Sequence, residues 1–304
     1  MPVDLSGKLV VGISSRALFD LEEENKIFEE QGLEAYSKYQ QEHENDILKP
    51  GTAFPLIKAL HNLNCGEKKL TEIIVMSKNN TSTSMRIFNS IKHYGLDISR
   101  AALVSGMSLA PYLAAFKTDL FLSASEQDVQ EAINANIAAG IICSNKDLPI
   151  DHSEEISQIR IAFDGDAVIF SDESEKIFKQ DGIKAFEQHE EQNAKNPLPE
   201  GPFAKLLKTI SLVQSEFDDV SIPIRTALVT ARNAPAHERV IRTLRAWNVR
   251  IDEAFFLGGI EKSAVLKAFG AHIFFDDQTV HIDPASSLVP AARVPYKSTE
   301  EQKN

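Results

Sequence analysis

Ile159-Arg-Ile-Ala-Phe-Asp164-Gly-Asp166-Ala-Val-Ile-Phe170 runs an apolar, strand-like segment into two aspartates separated by one glycine, after which apolar residues resume. A short apolar run is how a strand buried on both faces of a parallel sheet reads. In open α/β sheets, ligands bind outside the carboxyl ends of the strands. Two acids at that point therefore carry more functional weight than two acids on a helix face. Asp-Gly is also an ordinary turn pair, so the motif alone leaves the chemistry open.

The remainder of the second half supplies three more strand ends of this kind. Thr230-Ala231-Arg232-Asn233 closes the apolar run from Ala227, Gly258-Gly259-Ile-Glu-Lys262 follows the run from Phe255, and Asp276-Asp277 follows Ala271 to Phe275. Taken singly, Thr230 reads as a helix cap, Lys262 as a solvated lysine and the acid pair as a turn. In this order at consecutive strand ends, they supply what metal-assisted phosphoryl transfer uses. One carboxylate can act as nucleophile, and a second, two residues on, can act as acid and base. A hydroxyl and an ammonium can bind phosphoryl oxygens, and further acids can hold a hard cation.

The first half repeats the pattern. Strands are expected at 8–13, 73–76, 101–104 and 120–122, alternating with helices at 21–43, 53–63, 83–94 and 110–116. That alternation predicts a parallel sheet built from βαβ units. A shift of 150 positions, from 17 to 167, superposes Ala17/Ala167, Phe28/Phe178, Gly32/Gly182, Gly51/Gly201 and Leu56/Leu206. From residue 73 onward the shift becomes 153, pairing Ser77 with Thr230, Asn80 with Asn233, Arg86 with Arg239 and Phe121 with Phe274. The expected architecture is α/β: two tandem Rossmann-like parallel-sheet domains from an internal duplication, 1–150 and 151–304, with the boundary in the polar stretch 144–157. Residues 171–222 form a long, helical insertion between the first two motifs of the second half.

Composition fits this class. Of 304 residues, 43% are hydrophobic and 25% charged, as in a soluble globular protein. No leader and no apolar run near membrane-spanning length is found, so a cytoplasmic location and no membrane partner are expected. The two cysteines, Cys65 and Cys143, read as reduced, buried thiols. A net charge of −12 argues against general affinity for nucleic acid, while a bound metal can still invert the local field for a small anion. A homo-oligomer is compatible with the sequence.

These motifs resemble the haloacid dehalogenase-like phosphatases. More narrowly, Phe-Asp-Gly-Asp-Ala-Val-Ile-Phe, Val-Thr-Ala-Arg-Asn, Leu-Gly-Gly-Ile-Glu-Lys and His-Ile-Phe-Phe-Asp-Asp-Gln look like the cytosolic 5′-nucleotidases of type I. The first half resembles that family too, through Ser-Ser-Arg-Ala-Leu-Phe-Asp at 14–20 and Asp-Leu-Phe-Leu-Ser at 119–123. The resemblance implies Mg²⁺-dependent hydrolysis of nucleoside 5′-monophosphates, AMP-like ones among them, through an aspartyl-phosphate. Asp164 is then the nucleophile and Asp166 the acid and base. Mg²⁺ is implied on the Asp164 carboxylate, the Asp166 carbonyl and Asp276, with Asp277 at or beside it. Thr230, Ala231, Arg232, Asn233 and Lys262 take the phosphate and nucleotide. The insertion 171–222 is implied as a cap that reads the nucleoside. Phe178 there suits either a base-stacking role or a helix core position, and its counterpart Phe28 favours the core. Two other readings stay open: a phosphatase of sugar phosphates, and a nucleotide sensor with incidental hydrolysis.

At the repeat shift, Ser14 and Arg16 stand where Asp164 and Asp166 do, Leu109 where Lys262 does, and Ser123-Ala124 where Asp276-Asp277 do. The first half therefore lacks that chemistry. It is expected either to serve as a structural partner or to keep, at Ser14, Arg16, Ser77, Asn79 and Asn80, a metal-free anion pocket.

Overall fold

The computed structural model describes residues 4–64, 69–143, 156–217 and 222–298. Cys65, most of the boundary at 144–157 and the tail after 298 lie outside them. The first half runs β1 (Leu9–Ile13), α1 (Ser15–Leu18), α2 (Glu22–Glu42), α3 (Phe54–Asn62), β2 (Thr71–Ser77), α4 (Met85–His93), β3 (Arg100–Leu103), α5 (Ala110–Ala115), β4 (Leu120–Ser123), α6 (Glu126–Asn134) and β5 (Ala138–Ile142). The second runs β6 (Ile159–Phe163), α7 (Glu173–Gln192), α8 (Ala204–Gln214), β7 (Ile224–Thr230), α9 (His237–Ala246), β8 (Glu253–Phe256), α10 (Lys262–Phe269), β9 (Ile273–Asp276), α11 (Thr279–Ser286) and β10 (Ala291–Arg293).

The strands make one sheet in the order β3-β2-β1-β4-β5-β10-β9-β6-β7-β8. Each half taken alone has its first strand flanked by its second and fourth, with the third and fifth at the edges. Pairings within each half are parallel, and only the β5–β10 seam is antiparallel. The carboxyl ends of the two sets of strands therefore open at opposite edges of the sheet. The sheet thus has two sets of strand carboxyl ends, the position where open α/β sheets bind ligands.

Burial explains the apolar runs. β1, β2 and β4 are buried at every position, as β9 is, because helices cover both faces of a parallel sheet. A single core joins the halves: α3 of the first packs against β6 of the second, and α8 of the second packs against β1 of the first. Leu206, Leu207, Ile210 and Val213 on α8 are buried in this core. Within 171–222, α8 thus joins the core, while α7 bonds Arg232 and Gln278 beside the strand ends of its own half.

Backbone details recur between the halves. α2 and α7 both break at a glycine, Gly32 at φ 83°, ψ −178° and Gly182 at φ 80°, ψ −177°. That region of φ/ψ space is open essentially to glycine alone. Gly51 and Gly201 each lie against backbone just after the first strand, beside the bridges Phe19–Pro50 and Phe170–Glu200. A Cβ on Gly201 would stand 2.3 Å from the Phe170 carbonyl oxygen, so this approach excludes a side chain.

Candidate active site

The second half's strand ends meet at one edge of the sheet, and aromatic packing fixes two of them. Phe163 and Phe275, one residue before Asp164 and Asp276, stack at 5.6 Å and 14°, with Phe203 of the α8 entry tilted against Phe275 at 4.8 Å. Such ring pairs contribute about 0.5–1.5 kcal/mol beyond the area they bury. The Asp164 amide donates to the Phe275 carbonyl at 2.8 Å, which locks β6 to β9 at the point where both turn acidic.

Lys262, the first residue of α10, places its ammonium between the two acids. Nζ donates to Asp164 Oδ1 and to Asp276 Oδ2, each at 2.6 Å. Asp276 Oδ1 also accepts from the Gln278 amide at 2.9 Å. Carboxylate oxygens of Asp164, Asp276 and Asp277 lie within 4.8 Å of one another. Asp277 Oδ1 is buried with no hydrogen-bond partner among the described residues, while its other oxygen accepts from Tyr296. The chain leaves Asp164 through a tight turn in which Ala167 takes φ 60°, a left-handed conformation uncommon for a residue with a Cβ and frequent at functional turns.

Electrostatics here is unbalanced. Burial and then the neighbouring acids push Asp164 up to about 7, although Lys262 pulls the other way. Burial, then Asp164, push Asp277 up to about 8, and burial likewise raises Asp276. Burial disfavours the Lys262 ammonium, yet Asp164 and Asp276 outweigh it and hold its pKa above the usual lysine value. Three buried carboxylates face one ammonium. Closely set oxygens, one without a partner, and an excess of negative charge are the donor set a hard divalent cation takes.

This imbalance gives a prediction. A carboxyl whose folded pKa is raised binds more protons folded than unfolded, so stability falls as pH rises through the window from the ordinary carboxyl value to about 8. A cation replaces those protons. Millimolar Mg²⁺ should therefore raise Tm more at a pH of about 8.5 than at about 6, in thermal scans against EDTA controls. An equal gain at both would mean that these acids do not hold the ion.

Asp166 stands apart from the cluster. Both its oxygens are taken by the Arg232 guanidinium, Nε at 2.8 Å and Nη2 at 2.6 Å. Arg232 also reaches Glu190 on α7 at 2.5 Å, and Glu190 accepts from Arg239 at 2.9 Å and from Ser174 at 2.7 Å. Burial works against the Arg232 charge, but Asp166 and Glu190 more than offset it and raise its pKa. Thr230 Oγ1 accepts from the Arg232 amide at 3.2 Å, which leaves the hydroxyl hydrogen free to donate.

Of the residues expected from sequence, Asp164, Lys262, Asp276 and Asp277 come together, and Thr230 lies on the adjacent strand end, its Oγ1 3.3 Å from where a Cβ on Gly165 would stand. Ala231 and Asn233 are exposed on the loop after β7. Arg232 is engaged by Asp166 and Glu190 instead of facing open space. Phe178 departs from the core expectation: it and Phe28 are both about half exposed. The helix breaks at Gly182 and Gly32 accompany this: each ring lies before the break and meets only the edge of the aromatic after it, Phe178 with Phe186 at 6.3 Å and Phe28 with Tyr36 at 5.8 Å. Glu190, Glu175 and Tyr296 were not foreseen. The Tyr296 hydroxyl lies between Glu175, at 2.8 Å, and Asp277, and its single hydrogen serves one of them at a time; Tyr296 follows a seam strand that carries no motif. In the first half, Ser14, Arg16, Ser77, Asn79 and Asn80 all line one cavity of about 520 Å³. Cys143 is a free thiol, half-buried, and burial raises its pKa. Among the described residues no helix is long and apolar enough to cross a membrane.

A family model described as 5′-nucleotidase matches residues 1–301 of the chain. Human cytosolic 5′-nucleotidase 1B is 41% identical over 293 residues, which cover 92% of this chain and 47% of the human protein. The chain thus spans about half the length of this human relative. No solved structure matches it.

Proposed function

The chain belongs to the 5′-nucleotidase family, and from that premise we propose that it hydrolyses nucleoside 5′-monophosphates to nucleoside and phosphate, with the chemistry confined to its second half. The observation that carries the reading is Lys262 bridging Asp164 and Asp276 beside Asp277, at the strand ends where such a fold binds its ligand.

In this reading an Asp164 carboxylate oxygen attacks phosphorus and the bond from phosphorus to the 5′ oxygen breaks. Asp166 gives its proton to that oxygen, and the nucleoside departs. Asp166 then takes a proton from water, whose oxygen attacks the phosphorus and frees the Asp164 carboxylate. Lys262 and the Thr230 hydroxyl hold phosphoryl oxygens as charge shifts onto them. Both oxygens of Asp166 are bound by Arg232, so Asp166 has to swing out of that fork before it can donate. Asp164, Asp276 and Asp277 would hold Mg²⁺, which supplies charge neutralisation between phosphate and carboxylates.

The shared strand order and the paired helix breaks support an origin of the two halves by duplication. α7 serves as the cover of the site: Glu190 bonds Arg232, and Glu175 meets Gln278 at 3.1 Å. The name of the human relative goes with a cytosolic location.

A phosphate-release screen tests the reading. AMP and other nucleoside monophosphates should turn over fastest, with activity lost in EDTA and regained on adding Mg²⁺. Faster release from sugar phosphates would move the substrate class. Tight AMP binding with negligible turnover would make the protein a sensor.

A further inference from the structure

The proposed hydrolysis makes no use of the cavity of about 520 Å³ at the carboxyl ends of β1, β2 and β4. Its volume lies in the range of pockets that take small ligands. Because the β5–β10 seam is antiparallel, it opens at the opposite edge of the sheet from Asp164 and is no extension of that site.

Its floor is built of donors. Ser14 Oγ accepts from the Ala17 amide at 3.2 Å and Ser123 Oγ from the Ser125 amide at 3.1 Å, so each buried hydroxyl keeps its hydrogen for another acceptor. Arg16 Nε and Asn79 Nδ2 are buried donors with no hydrogen-bond partner among the described residues. Buried donors are nearly always satisfied, and here the open side is the cavity both residues line. The acids nearby are already matched: Asp128 by Lys78 and Glu24 by Arg86, each at 2.5 Å. Among the described residues Arg16 pairs only with the half-exposed Glu22, at 3.8 Å. Where the other half sets four carboxylates, this one sets Ser14, Arg16, Ser123 and Ala124. An anion can enter without a metal to screen it.

One wall carries aromatic rings. Phe28 on α2, about half exposed, meets Tyr36 edge-on at 5.8 Å and 78°, and Tyr36 donates to Asn79 Oδ1 at 3.1 Å. An aromatic shelf above a donor-lined floor suits a planar ring joined to an oxyanion.

We propose that the first half binds a nucleotide in this cavity without metal and without hydrolysing it, the phosphate on Arg16, Ser14 and Asn79 and the base on Phe28. No carboxylate occupies the position from which the other half would attack. The proposal stands whether or not the second half is an active nucleotidase.

Isothermal titration of the whole chain with AMP in EDTA tests it, since the second half then faces phosphate with unscreened acids. Wild type and Asp164→Asn should bind one AMP with equal affinity. Arg16→Ala, which removes a charged donor, and Phe28→Ala, which removes the shelf, should each weaken binding about tenfold or more. Inorganic phosphate should bind at least about tenfold more weakly than AMP. Both variants alter partly exposed side chains, and unchanged Tm values check that they fold. The proposal is overturned by absence of binding in EDTA, by binding that survives Arg16→Ala unchanged, or by phosphate binding as tightly as AMP.

Discussion

Asp164→Asn should lower turnover of nucleoside monophosphates by about 10⁴-fold or more, the scale on which loss of a covalent nucleophile acts. That corresponds to about 5.5 kcal/mol of transition-state stabilisation. The amide keeps the size and one acceptor oxygen, so Lys262 can still bond it and retains Asp276 besides. The variant separates catalysis from folding because the wild-type charge is unfavourable where it sits. Burial raises the Asp164 pKa to about 7, so a neutral group at this position should leave metal-free stability unchanged or improved. With Mg²⁺ present, nucleotide binding at the second half's strand ends should persist or tighten, since one charge that repels phosphate is gone. Rates measured at saturating AMP, beside Tm in EDTA, decide the matter. Turnover within tenfold of wild type would place the nucleophile elsewhere, and a collapse of Tm would make Asp164 a structural residue.

The features of this site that the sequence reveals are those tied to strand ends. Asp164, Thr230, Lys262 and Asp276 each close an apolar run or follow one closely, and a parallel sheet has to bring such ends to one edge. β10 is invisible by the same logic. Ala291–Arg293 is short and unremarkable in composition, and it is a strand because β5 and β9 flank it. With β10 goes Tyr296, whose hydroxyl meets Asp277 only because the seam delivers it there. Pairings across the fold are equally silent: nothing at Arg232 or Glu190 announces that they meet. Phe178 shows a different failure. Helical periodicity assumes a continuous helix, and Gly182 breaks it, so a ring placed in the core by period lies half in solvent.

The two halves also show how similar backbones were given different charge. In the first, Arg86 bonds Glu24, and Gln40 is neutral. At the matched positions of the second, Arg239 bonds Glu190, while Ser174 replaces the acid. The carboxylate thus sits at a different position of the helix pair in the second half, where it also meets Arg232, the residue that holds Asp166. Glu190 is fully buried; burial opposes its charge, but Arg232, Ser174 and Arg239 bring its pKa below the ordinary carboxyl value. Its bond to Arg232 ties it, through that guanidinium, to Asp166.

Glu190→Gln should therefore be the most destabilising single change near the site. It removes the counter-charge of two buried guanidiniums, leaving Arg239 with the partly exposed Glu173 at 3.7 Å and Arg232 with Asp166 alone. Breaking a buried ion pair costs about 3–5 kcal/mol, and retention of Asp166 by Arg232 points to the lower figure. For a chain of this size that amounts to a fall in Tm of roughly 6–12 °C. Adding Ser174→Glu rebuilds the first half's arrangement and should restore part of the loss, by returning an acid to Arg239. Arg232 would stay without its second partner. Its grip on Asp166 should then tighten, so the double variant should recover stability without recovering the full rate. A Tm within about 2 °C of wild type for Glu190→Gln would mean the network contributes little to the fold. Full recovery of turnover in the double variant would mean that Glu190 does not act through Asp166.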